Sequence, residues 1–146
     1  MERLTALEQA AREVLADRSA GVFKHDRREV LDLREIEGVH RMRVATRRLR
    51  AALEVFAPAL DRARGKGALR GVKVLAEALG ERRDRDVQLE RLEALHAETL
   101  GAERRAVDIL AAELRAEQQR ANADLAKALR RARLKRLKRR LAELIG

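Results

Sequence analysis

A chain with two phenylalanines, no tyrosine or tryptophan and a single proline, Pro58, has little from which to build a sheet. Alanine, leucine, arginine and glutamate dominate instead, all of them good helix formers, so the composition predicts an all-α protein. Its 146 residues suit a single helical domain over residues 1–146 with a modest core. Cysteine is absent, which removes disulfides, thiolate metal sites and cysteine nucleophiles. The first thirty residues show no secretory-leader pattern, and no apolar run approaches membrane-spanning length, so a cytoplasmic protein without membrane contact is expected.

Apolar spacing sets the expected elements. Leu4, Leu7, Ala11, Val14 and Leu15 predict an amphipathic helix over Glu2–Asp17, interrupted by Gly21 and the polar Lys24–Arg28 stretch. A second helix should start between Arg34 and Gly38 and end at Phe56 or Ala57, because Pro58 disfavours helical geometry in the residue before it. Asp61–Gly67 carries two glycines and no apolar period and reads as a loop. A third helix, about Ala68 to Leu79, turns Leu69, Val72, Ala76 and Leu79 inward. Gly80 and the charged Glu81–Asp86 segment read as a turn or kink, with Asp84 or Asp86 capping a fourth helix that carries Val87, Leu89, Leu92 and Leu95. The periodic stretch from Ala102 onward is long for one helix, and a break is expected near Arg130–Arg133. The sum is an antiparallel four-helix bundle with a long C-terminal helical segment, whose Leu125, Leu129, Leu134, Leu137, Leu141 and Leu144 read as a surface for another subunit.

Charge narrows the function. Lys plus Arg total 34 against 24 Asp plus Glu, a net charge of +10 that raises the local concentration of anions. Wound at 100° per residue, the helix from His40 to Phe56 puts Met42, Ala45, Leu49, Ala52, Leu53 and Phe56 in one stripe. His40, Arg43, Arg47 and Arg50 fall on the other side at spacings of three, four and three, with Arg48 at the flank. Stacked cations repel by about 0.2–0.5 kcal/mol per pair, and no acidic residue lies between Glu37 and Glu54 to relieve them. A bound anion explains the pattern. Arginine forks engage phosphate oxygens bidentately, histidine adds a switchable donor, and repetition along successive turns suits an oligomeric or polymeric anion.

Other chemistries find less support. Hydroxyl side chains are few (Thr5, Ser19, Thr46 and Thr99), and neither a GxxxxGK[ST] loop nor an HExxH motif occurs. His25, His40 and His96 show no metal-ligand spacing, so no metal and no cofactor is expected; His25 reads as a surface loop residue and His96 as a partner for a helix C-terminus. Sequence-independent binding to a nucleic-acid backbone is the main competitor, although bases would find no Tyr or Trp to stack on. A helical scaffold for protein partners is the other. Lys127–Arg140 holds nine basic residues and no acidic one, which suits a polyanion, a helix dipole or solubility equally.

The run Glu37-Gly38-Val39-His40-Arg41-Met42-Arg43-Val44-Ala45-Thr46-Arg47-Arg48-Leu49-Arg50-Ala51-Ala52-Leu53 resembles the signature of the CHAD domain, the conserved-histidine α-helical family. Leu79-Gly80-Glu81-Arg82-Arg83-Asp84-Arg85-Asp86-Val87 is similar to the family's second motif. The resemblance implies a non-enzymatic, pseudo-twofold domain of two four-helix bundles that binds inorganic polyphosphate in a basic groove, beside polyphosphate granules in the cytoplasm. Position by position it implies anion-binding roles for His40, Arg43, Arg47, Arg48, Arg50, Lys73 and Arg83, and more loosely for Arg70, Arg82, Arg120, Lys127, Arg130 and Arg133. Only the family's N-terminal half is matched, with no second histidine–arginine motif, so a homodimer that rebuilds the two-bundle arrangement is expected.

Overall fold

Side-chain caps set where the first helices begin. In the computed structural model, which describes residues 5–146, the Thr5 hydroxyl accepts from the Glu8 N–H at 3.1 Å while the Glu8 carboxylate accepts from the Thr5 N–H at 2.8 Å. This capping box opens α1 (Ala6–Phe23), which buries Ala11, Leu15 and Val22. Glu2 and Leu4, expected in this helix, lie outside the described residues, and Leu7 in its first turn is 57% exposed rather than inward. Asp26 accepts from the Arg28 N–H at 2.7 Å and starts α2 (Arg27–Leu31), a short helix that no apolar period announced. After it comes α3 (Glu37–Phe56), within the expected bounds, and a 3-10 turn (Ala57–Ala59) that contains Pro58.

The next segment differs most from what the sequence pattern predicts. Residues Asp61–Gly67 are not a loop and Gly80–Asp86 is not a kink: a single helix, α4 (Arg62–Glu98), runs through both. Asp61 caps it, accepting from the Arg64 N–H at 3.0 Å. Neither Asp84 nor Asp86 caps anything, because the helix does not restart there. A glycine costs a helix roughly 1 kcal/mol, which packing against neighbours on both sides outweighs. A turn with Gly101 at φ +60 leads into α5 (Gly101–Ala128), and the expected break separates it from α6 (Arg131–Ile145).

Helix α3 packs between α1 and α4, α4 lies against α3, α5 and α6, and α6 closes back onto α1. Leu15, Val39, Leu49, Val72, Leu79, Leu125, Leu129 and Leu141 meet in one core. Each is almost fully withdrawn from water, a gain of about 1.5–3 kcal/mol per side chain over exposure. The leucines that read as a partner surface are therefore used at home: Leu137, Leu141 and Leu144 are buried and Leu134 is half-buried against the same core. Beyond the bundle the far ends of α4 and α5 pair with each other, leaving Leu95, Leu100 and Ile109 exposed. Leu95, one of the apolar residues that predicted a helix here, finds no third wall at that height. Among the described residues no helix is long and apolar enough to cross a membrane.

Candidate functional site

The apolar stripe of α3 fixes where its cations go. With Met42, Thr46, Leu49 and Leu53 held in the core, Arg43, Arg47 and Arg50 are turned to the seam that α3 makes with α4. There they line a cleft of about 460 Å³ whose other wall is Lys73, Ala76, Glu77 and Gly80. The α4 residues repeat the three-to-four spacing of the arginines, so small side chains face large cationic ones along the groove. Gly80 leaves its floor open: a Cβ placed there would meet nothing within 4 Å. Arg50 is paired, donating from Nε to Glu54 at 3.3 Å. Arg43, Arg47 and Lys73 make no ion pair among the described residues.

His40 and Arg83 sit one turn beyond this group, on α3 and α4 respectively. Both are half-buried, and both hold a buried nitrogen with no hydrogen-bond partner, Nδ1 of His40 and one guanidinium nitrogen of Arg83.

The remaining expected residues scatter. Arg48 lines a different cleft on the α1 side of α3. Arg120, Lys127 and Arg133 line a third, between α4, α5 and α6, together with Arg85. Four carboxylates, Glu77, Glu81, Glu117 and Asp124, share that cleft and balance those four cations, so it has no net charge to draw an anion. Arg70 and Arg130 are exposed.

Arg82 lines no groove, contrary to the role the resemblance implies. It is fully buried, far from any anion's approach. Its Nε donates to Asp86 Oδ1 at 2.9 Å, one terminal nitrogen to Asn122 Oδ1 at 2.8 Å and the other to the Asp32 carbonyl at 2.7 Å. Gln118 donates to the same Asp86 oxygen at 2.6 Å, and Asn122 to the Leu31 carbonyl at 3.0 Å. The knot ties the end of α2 to α4 and α5, and so fixes the segment from which α3 departs. Close by, the Arg34 and Glu35 N–H groups donate to Asp32 Oδ1 at 2.8 and 3.1 Å, and these backbone hydrogen bonds hold its carboxyl below the ordinary range.

His25 lies on the loop between α1 and α2, as expected, but is half-buried there, with a buried, unpartnered Nε2. His96, in the last turn of α4, is 3.0 Å from Asp108 across the hairpin. The Thr46 hydroxyl is spent on the Met42 carbonyl at 2.8 Å. Among the described residues no group of three or more His, Asp or Glu side chains is gathered for a metal. Compared with known proteins, the chain matches one family model, described as CHAD domain, over residues 5–146. No curated protein and no solved structure matches it.

Proposed function

The chain belongs to the CHAD domain family, and from that premise we propose that the α3–α4 groove binds inorganic polyphosphate without transforming it. One observation carries the reading. Four cations from two helices, Arg43, Arg47, Arg50 and Lys73, line a single cleft, and only Arg50 has a carboxylate of its own. Unpaired guanidinium groups at helical repeat offer bidentate donors about 5.4 Å apart along the axis, which fits an extended chain of phosphates rather than one small anion. His40 and Arg83, with nitrogens withdrawn from water and unsatisfied, extend the same line by one turn.

Binding is all the site is asked to do, and no residue is given a catalytic role. A second copy is proposed to pair through the exposed Leu95, Leu100 and Ile109 of the α4–α5 hairpin and so rebuild a two-bundle arrangement. A strictly monomeric mass at micromolar concentration counts against that part alone.

The test is a titration with long-chain polyphosphate and with duplex DNA at matched phosphate concentration, at two salt concentrations. Saturation at a fixed stoichiometry and a preference for polyphosphate are expected, on top of the salt slope that any phosphate backbone gives. Arg43→Gln with Arg47→Gln should weaken polyphosphate at least about tenfold per arginine, since a charge-assisted contact contributes about 1.5–3 kcal/mol. Helicity should not change. Equal affinity for DNA, unaffected by these substitutions, returns the protein to general charge attraction.

A further inference from the structure

On the other flank of α3 lies a second cleft, about 740 Å³, walled by α3, the end of α1 and the link to α2. Arg41 and Arg48 enter it from α3, seven residues and so nearly two turns apart, while Arg18 and Lys24 enter from α1 and its C-cap. Asp17 and Glu29 also line it, yet none of these six groups is within ion-pair distance of another among the described residues. Four cations against two carboxylates leave the cleft positive.

His25 gives it a chemical preference. The ring lines the cleft, and its Nε2 is buried without a partner. Burial first, then the charges of Lys24 and Arg41, hold the ring below its ordinary value of 6.5, against a backbone hydrogen bond to Gly21 and the Glu29 carboxylate. Near neutral pH it is therefore uncharged. Nε2 has no partner within the protein, so a ligand in the cleft is left to satisfy it. A ring nitrogen under the charges of Lys24 and Arg41 suits an anion that can exchange a proton with it. A terminal phosphate can, since its second ionisation falls near pH 6, close to the ring's own range, so that one proton is shared between the two, whereas the internal phosphates of a chain or a nucleic acid have no such ionisation. Gly21 completes the picture: nothing lies within 4 Å of where its Cβ would be, so no neighbour requires a glycine inside this helix, and its bareness keeps the cleft open.

We propose that this cleft is a second anion site for a terminal, monoester-type phosphate, either orthophosphate or the end of a phosphate chain, held by Arg18, Lys24, Arg41 and Arg48 with its proton shared with His25. It rests on residues other than those of the α3–α4 groove and stands even if that groove binds nothing.

The full chain is titrated with orthophosphate, linear tripolyphosphate and cyclic trimetaphosphate, and the His25 ring is followed by proton–nitrogen NMR. Both ligands with terminal groups should saturate one site and raise the His25 pKa by about one unit, as a new opposite charge does at close range. Trimetaphosphate has no terminal group and should leave the ring alone. Tighter binding of tripolyphosphate assigns the site to chain ends, and equal binding assigns it to free phosphate; both uphold it. The response should survive Arg43→Gln with Arg47→Gln, fall at least about tenfold with Arg41→Gln and Arg48→Gln, and vanish in Gly21→Leu without loss of melting temperature. A His25 signal indifferent to both linear ligands, or one that moves equally with the cyclic ligand, overturns the proposal.

Discussion

Two residues apart on α4, Gly80 and Arg82 face opposite worlds: Gly80 floors the open groove, and Arg82 sits at the centre of the buried knot. Two residues are 200° of helix, enough to carry one from the surface to the interior. In the knot a cation has every guanidinium nitrogen answered, by Asp86, Asn122 and the backbone of Val30 and Asp32. Across the groove Arg43 and Arg47 have no carboxylate partner among the described residues. The same side chain thus does structural work where its partners come from the protein and is left for a ligand where they do not. Partnership, rather than the count of arginines in the motif, separates the two regions.

Breaking the knot should have the largest effect. Arg82→Met strands the buried Asp86, one of whose oxygens already lacks a partner, and should cost about 3–5 kcal/mol in urea unfolding. Adding Asp86→Leu should recover part of the loss, not all, because the Val30 and Asp32 carbonyls still miss their donor. A double variant no better than the single one would mean that the ion pair is not the centre of the knot. Gly80→Leu comes next and has the opposite sign. Nothing crowds that position, so replacing glycine in mid-helix should raise stability by about 0.5–1 kcal/mol while filling the groove and abolishing polyphosphate binding. Stability and binding moving apart in this way is what the comparison requires, and the two falling together would break it.

How much of this was legible beforehand follows the same division. The α3 stripe could be read because a helix period is a local property: Met42, Leu49 and Leu53 fix one face, and Arg43, Arg47 and Arg50 follow. The continuity of α4 could not, since Gly65, Gly67 and Gly80 are breakers on their own terms. Gly65 is buried where a Cβ would come within 2.8 Å of Ala57 Cβ, so its reason is a close approach that only the fold reveals. Arg82 and Arg83 are adjacent in one charged run, and what draws Arg82 inside, Gln118 and Asn122, lies more than thirty residues on. The cleft around His25 depends on how the short α2 turns the chain back, which no spacing in the sequence encodes.

Glu77 offers the finest adjustment. It is the one carboxylate lining the α3–α4 groove, and it also lines the charge-balanced cleft on the far side of α4, so it stands on the ridge between a positive channel and a neutral one. It is exposed and makes no ion pair among the described residues, so removing its charge should leave stability unchanged. Its effect on a bound polyanion is repulsive but solvated, on the order of 0.2–1 kcal/mol. Glu77→Gln should therefore tighten polyphosphate by roughly two- to fivefold at low salt, and the gain should shrink as salt screens it. A loss of affinity instead would mean that Glu77 orients Lys73, one turn away at the i, i+4 spacing, and that the groove is shaped by a hidden partner after all. Glu77→Lys separates the two outcomes, because it strengthens binding further if the carboxylate only repels and weakens it if Lys73 depends on that carboxylate for its position.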